Sequence, residues 1–189
     1  MRRVLPAFAL ALVLVLAACG GTKTVTVTQT VTTTRTVTTT PSAASAAACT
    51  GSDLSASFDV VQGSAGAGQI AYRLTLTNAS QAPCWISGLP QAQLLDAAGK
   101  TLPTHVISSQ RGVGTAARIV LQPGGSATAD ARFSPDVAGT GDQQSGQCQP
   151  QAATLRVTPN GGGSVDAAID PPTSVCEQGQ LQFDLPAAS

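Results

Sequence analysis

Past residue 50 the chain is organised by a period of two. Leu54, Ala56, Phe58 and Val60 share one side of an extended segment, and Ile70, Tyr72, Leu74 and Leu76 share one side of another, with Arg73, Thr75 and Thr77 turned away. Successive side chains of a strand point to opposite faces, so apolar residues at every second position predict a sheet with one face on a core. The same period returns at Ile119 and Leu121, passes through the turn Gln122-Pro123-Gly124-Gly125, and resumes at Ala127, Ala129, Ala131 and Phe133. Leu155 with Val157, Val165 with Ala167 and Ile169, and Leu181 with Phe183 and Leu185 complete the series. Cys84-Trp85-Ile86 sets the cysteine and Ile86 toward the core and Trp85 away from it, while Leu94-Leu95 runs into a hairpin turn at Asp96 to Lys100. No window carries a 3.6-residue apolar stripe, so little or no helix is expected in this part. Short alternating runs divided by Gly, Pro, Asn and Asp turns predict an all-β fold, an antiparallel β-sandwich over residues 49–189, which is one domain in length.

The first 48 residues follow other rules. Met1, Arg2 and Arg3 give a positive start, and the apolar stretch Val4 to Ala18 is shorter than the roughly 20 residues a membrane-spanning helix needs. Residues 1–18 therefore read as a secretory signal. The run Leu16-Ala17-Ala18-Cys19 closes it at a thiol and resembles the lipobox of bacterial lipoproteins. That resemblance implies a diacylglyceryl group on the Cys19 sulfur and Cys19 as the first residue of the mature chain. The competing reading is an ordinary signal peptide with an incidental cysteine. Residues 22–40 are almost entirely threonine and valine, followed by Pro41 and an Ala/Ser stretch to Ala48. With few large side chains to bury and no turn to pair it with itself, residues 19–48 are expected to be a disordered, solvated stalk. At about 3.3 Å per residue it would reach on the order of 90 Å, far enough to lift the domain into a thick wall.

Five cysteines fit this compartment. Assigning Cys19 to lipid leaves Cys49, Cys84, Cys148 and Cys176, which in an oxidising environment read as two disulfides with three possible connectivities. Proximity in sequence favours Cys49 with Cys84 and Cys148 with Cys176. Each bridge would close a loop of about 30 residues and contribute on the order of 3 to 4 kcal/mol in the chain-entropy model. Aromatics are 3% of the chain, so that support matters to a core of small aliphatic residues. The absence of any CxxC and the single histidine argue against a metal site built on these cysteines. From Cys49 onward six basic residues face ten acidic ones, a net charge of −4. Nucleic acid, which wants a basic stripe, is therefore not an expected partner.

Candidate chemistry is sparse. A triad needs a base placed beside a nucleophile and oriented by an acid, and the neighbours of His105, Thr104 and Val106, offer no known elbow or oxyanion motif, so it reads as a surface strand residue. Copper would want Met, His and Cys, and these are few or oxidised. Asn78-Ala79-Ser80 matches a glycosylation sequon but reads as the turn into Cys84. Ser134 to Gln147, rich in Gly, Asp and Gln, is the longest stretch without a strand pattern, and such a loop is functional or mobile. Its Asp136 and Asp142 supply the negative character of a possible binding loop. Two carboxylates are too few for calcium, which takes six to eight oxygens. Trp85, turned away from the core, is either a binding anchor or a side chain covered at the sandwich edge.

Leu74-Thr75-Leu76-Thr77-Asn78 leading to Cys84, then Gly88-Leu89-Pro90, Leu95-Asp96-Ala97-Ala98-Gly99 and Val120-Leu121-Gln122-Pro123-Gly124-Gly125-Ser126-Ala127 follow in an order that resembles the domain-of-unknown-function family numbered 4232. The family occurs in actinobacterial secreted proteins and lipoproteins. The resemblance runs from about Cys49 to about Leu185, implies an immunoglobulin-like β-sandwich, and carries no catalytic residues to transfer. The expectation is a non-enzymatic, lipid-anchored domain on the extracytoplasmic face of the cell membrane, without a cofactor, that binds an envelope component or a protein. Rival readings are an extracytoplasmic small-ligand or metal carrier and a hydrolase with an unrecognised site.

The anchoring expectation is tested by Cys19→Ser. Two or more acyl chains, at about 0.8 kcal/mol per buried methylene, hold a protein on a membrane far longer than one chain does. The variant should appear in the medium or as uncleaved precursor; recovery as mature, detergent-soluble lipoprotein would refute the lipobox reading.

Overall fold

The alternating segments become strands of three sheets. The computed structural model describes residues 46–110 and 116–189. The signal segment, Cys19 and the stalk up to residue 45 lie outside the described residues. The strands are β1 (Ala47–Ala48), β2 (Leu54–Val60), β3 (Ile70–Asn78), β4 (Cys84–Ile86), β5 (Gln91–Leu95), β6 (His105–Ser108), β7 (Ile119–Leu121), β8 (Ser126–Phe133), β9 (Gln151–Thr158), β10 (Val165–Ser174), β11 (Gln180–Phe183) and β12 (Ala187–Ala188). The large sheet runs β2-β3-β8-β11-β6, with β12 also on β8; the second is β10-β9-β5 and the third β1-β4-β7. Among the described residues no helix is long and apolar enough to cross a membrane.

Register explains how a core so poor in aromatics packs. Phe58, Leu74 and Ala129 lie in one row across β2, β3 and β8, and Val60, Tyr72 and Ala131 in the next. Tyr72, Leu74 and Leu76 of β3 each sit beside an alanine of β8, and this large-beside-small arrangement fills the space between layers; at the start of β3 Ile70 lies opposite Phe133. Phe58, Tyr72, Phe133 and Phe183 form one connected cluster, with ring centroids 5.1 Å apart for Phe58 and Tyr72, 5.3 Å for Tyr72 and Phe133, and 6.4 Å for Phe58 and Phe183. Such pairs contribute about 0.5 to 1.5 kcal/mol each beyond area burial. Leu94, Leu155, Val157, Ala167 and Ile169 of the second sheet close the same core from the other side, and Cys84, Ile86 and Leu121 of the third extend it. The result is the all-β sandwich expected from the periodicity.

Three details differ from expectation. The sandwich is not purely antiparallel: β6 pairs with β11 in parallel, Gln180 opposite His105 to Phe183 opposite Ser108, and β1 pairs with β4 in parallel. The folded part also begins before Cys49, because Ala47 and Ala48, assigned to the stalk, form β1 against Cys84 and Trp85. The Cys49 N–H donates to the Trp85 carbonyl at 2.9 Å and the Gly161 N–H to the Cys49 carbonyl at 2.8 Å, so this strand is drawn in by the ladder beyond it. Leu185 lies past the end of β11, although the alternation extends to it. Both disulfides follow the nearest-neighbour pairing, Cys49 with Cys84 at a Cα separation of 4.9 Å and Cys148 with Cys176 at 5.5 Å.

The strand directions give the sandwich two unlike ends. At the near end lie β1, the Cys49–Cys84 bridge and the turns 79–83, 122–125 and 159–164. At the far end lie the β2–β3 connection, the long segment 134–150, the Cys148–Cys176 bridge and the turn 175–179 that leads into β11.

Candidate functional site

The far end is built around Asp142. Phe133 ends β8, and Ser134 turns the chain: its Oγ accepts from the Val137 N–H and donates to the Val137 carbonyl, both at 3.0 Å. Eight residues on, Asp142 points inward and is 9% exposed. Its Oδ1 accepts from Gln149 Nε2 at 2.7 Å and from the Gln178 N–H at 2.9 Å. Its Oδ2 accepts from the Gly139 N–H at 2.9 Å and from the Glu177 N–H. Burial opposes ionisation of this carboxyl, but the bond from Gln149 and the backbone bonds from Gly139, Gln178 and Glu177 outweigh it and lower its pKa to about 2.

Two of those donors exist because the chain adopts a rare conformation. Glu177 and Gln178 have φ of 55° and 56°, left-handed values that cost non-glycine residues about 1 to 2 kcal/mol each. Hydrogen bonds to a charged group contribute about 1.5 to 3 kcal/mol each, so the two that this turn offers Asp142 offset its cost. Gly179 follows at φ 80°, and a Cβ there would run into the Pro103 carbonyl. Only glycine lets the turn approach the segment leading into β6. That approach, continued by the parallel pairing of β6 with β11, brings His105 beside Glu177 and Gln178.

Between them lies a groove of about 450 Å³ lined by His105, Ile107, Gly139, Thr140, Glu177, Gln178 and Gln180. Ile107 is 39% exposed, an apolar side chain open to contact. Glu177 is exposed and accepts from Gln180 Nε2 at 2.8 Å. The groove offers hydrogen bonds, one carboxylate and one apolar contact.

This arrangement corrects the reading of the loop. Asp136 and Asp142 do not form a paired negative site: Asp136 is exposed, while Asp142 is buried with its oxygens occupied by four donors. The surface carboxylate beside the groove is Glu177, which alternation and spacing gave no reason to select. Asp142 also lies within 4.8 Å of the Cys148 and Cys176 sulfurs, but those sulfurs form a disulfide and N–H groups fill the places a cation would take. Asn78 is buried and builds the turn toward Cys84, its Nδ2 donating to the Ala82 and Leu121 carbonyls at 2.8 and 3.0 Å. His105 is exposed on β6. Trp85 is half-buried with the Arg118 guanidinium 4.1 Å from its ring centroid, so it is covered at the near end by a cation and by β1.

Residues 49–184, more than half of the chain, match the family described as Domain of unknown function (DUF4232). The chain belongs to the DUF4232 family. No curated protein and no solved structure matches it. The matched span of the DUF4232 domain includes both disulfides, Asp142 and the left-handed turn.

Asp142→Asn tests the far-end arrangement. A carboxyl near its ordinary value of 3.8 in the unfolded chain and at about 2 in the folded one stabilises the fold above pH 4, and that contribution is lost as pH falls through 2. The variant should lose about 2 kcal/mol or more at pH 7, read by denaturant unfolding, and its stability should fall less steeply than the wild type's between pH 4 and 2. Equal stability at pH 7 and matching acid profiles would contradict a structural carboxylate.

Proposed function

We propose that this DUF4232 chain is a non-enzymatic, lipid-anchored module on the extracytoplasmic face of the cell membrane. It is held by acyl chains on Cys19 and presents its far end to a protein or another envelope component. The observation that supports this reading most is the polarity of the fold. The chain from the stalk enters through β1 at the near end, and the groove with its framing loop lies at the opposite end. A pull on the tether would be met by the β1–β4 ladder and the Cys49–Cys84 bridge before it reached the core.

The groove favours one kind of partner. Glu177 gives it negative character, and Ile107 adds an apolar contact. A basic segment carrying an apolar side chain suits it, in keeping with the net charge of −4 over residues 49–189. Loops on a rigid sandwich serve such recognition because strands are committed to core and ladder.

Shortening the loop would remove Asp142 and confound stability with binding, so the test uses surface positions. A photoreactive residue at Ile107, irradiated in intact cells, should capture a partner, whereas one at Ser52 of the near end should not. Glu177→Lys should lower the yield from position 107 by about tenfold, a loss of 1.4 kcal/mol. Equal capture from both positions, or a yield indifferent to the charge reversal, would refute the reading.

A further inference from the structure

The outer face of the large sheet carries a second depression, smaller and more highly charged than the far-end groove. Ala71 of β3 stands at its floor, where the strand register places it beside Arg132 of β8 and Arg132 beside Gln182 of β11. One row nearer the other end, Asp130 follows on β8, and Asp184 donates its N–H to the Asp130 carbonyl at 2.9 Å. Ser109 completes the wall, its N–H donating to the Phe183 carbonyl at 2.8 Å. The enclosed volume is about 190 Å³. Pockets for drug-sized ligands run from about 300 to 1,000 Å³, so an occupant must be smaller.

The charges around this pocket divide into two kinds. Asp130 is committed, bound by Arg73 through Nε at 2.7 Å and the second guanidinium nitrogen at 2.8 Å. Asp184 receives the Ser109 hydroxyl on Oδ1 and has no basic side chain within 4.0 Å among the described residues. Arg132 likewise has no carboxylate within that distance among them. Among the described residues, one guanidinium and one carboxylate without an ion-pair partner, Arg132 and Asp184, thus line the same small cavity without pairing with each other, beside the Asp130 that Arg73 holds.

We infer that this depression binds a small zwitterion of the α-amino acid type. Arg132 receives the ligand carboxylate, and the free oxygen of Asp184 receives the ammonium. A simple anion would leave Asp184 unmatched and a simple cation would leave Arg132 unmatched; a zwitterion answers both at once. The Arg73–Asp130 pair and the Ser109 bond hold the carboxylates in place before the ligand arrives, which lowers the entropy lost on binding. This site is separate from the groove, and its occupancy does not depend on the partner proposed there.

Calorimetric titration of the full-length chain in detergent tests it, with glycine, L-alanine, acetate and ethylamine as probes. The amino acids should bind saturably, and acetate and ethylamine at least about tenfold more weakly, since each lacks one charge-assisted contact. Arg132→Gln and Asp184→Asn should each weaken amino-acid binding by about tenfold; the second retains an oxygen for Ser109. Ala71→Leu, which fills the depression from β3 and leaves the charges in place, should abolish binding in protein whose circular dichroism shows it still folded. The inference fails if the folded wild type binds neither amino acid, if acetate or ethylamine binds as tightly, or if the folded Arg132 and Asp184 variants bind like the wild type.

Discussion

A buried carboxylate with no counter-ion among the described residues holds the far end of this fold together. Leaving such a group unpaired in the interior costs several kcal/mol, yet Asp142 is ionised well below the usual carboxylate range because four N–H donors surround it. Those donors come from three stretches of chain: Gly139 within the loop, Gln149 just past Cys148, and Glu177 with Gln178 just past Cys176. The Cys148–Cys176 bridge joins the second and third of these stretches. One side chain and one covalent bond therefore give a polar, glycine-containing loop a defined course, against the about 1 to 2 kcal/mol per residue that ordering its backbone costs.

The near end follows a similar economy with different chemistry. There the Cys49–Cys84 bridge fastens a two-residue strand that has little apolar area of its own, and Asn78 satisfies the carbonyls of the adjoining turn. Between the ends, the alanines of β8 give room to Tyr72, Leu74 and Leu76 of β3, and four aromatic rings gather into one cluster. A core of modest side chains, braced covalently at both ends, leaves the outer faces and the far-end groove free to vary.

Much of this was legible along the chain and some was not, for physical reasons. The strands β2, β3, β8 and β9 and the core side of β10 show as period two because one face of each is buried and the other wet. The disulfide partners were close in sequence, so proximity sufficed. Strands β1 and β6 have two and four residues, too short for a pattern, and each is held in parallel by a distant segment. Asp142 looked like a surface charge because nothing local distinguishes a carboxylate that meets solvent from one that meets backbone N–H groups. The left-handed turn at Glu177 and Gln178 was hidden for the same reason, since only Gly179 marks it and its neighbours adopt φ > 0 for the sake of Asp142. What hid β1, β6 and the Glu177–Gln178 donors to Asp142 was long-range pairing.

Hydrogen exchange of backbone amides in the native protein tests most directly whether Asp142 organises the far end. The N–H groups of Gly139, Glu177 and Gln178 all lie in loops or turns, where exchange is ordinarily fast, yet each donates to that carboxylate. They should exchange as slowly as amides in the middle of β3 and β8, and the exposed amides at Gln144 and Ser145 should exchange far faster. If Gly139, Glu177 and Gln178 exchange as rapidly as Gln144 and Ser145, the carboxylate does not hold this end and the far-end groove has no fixed frame.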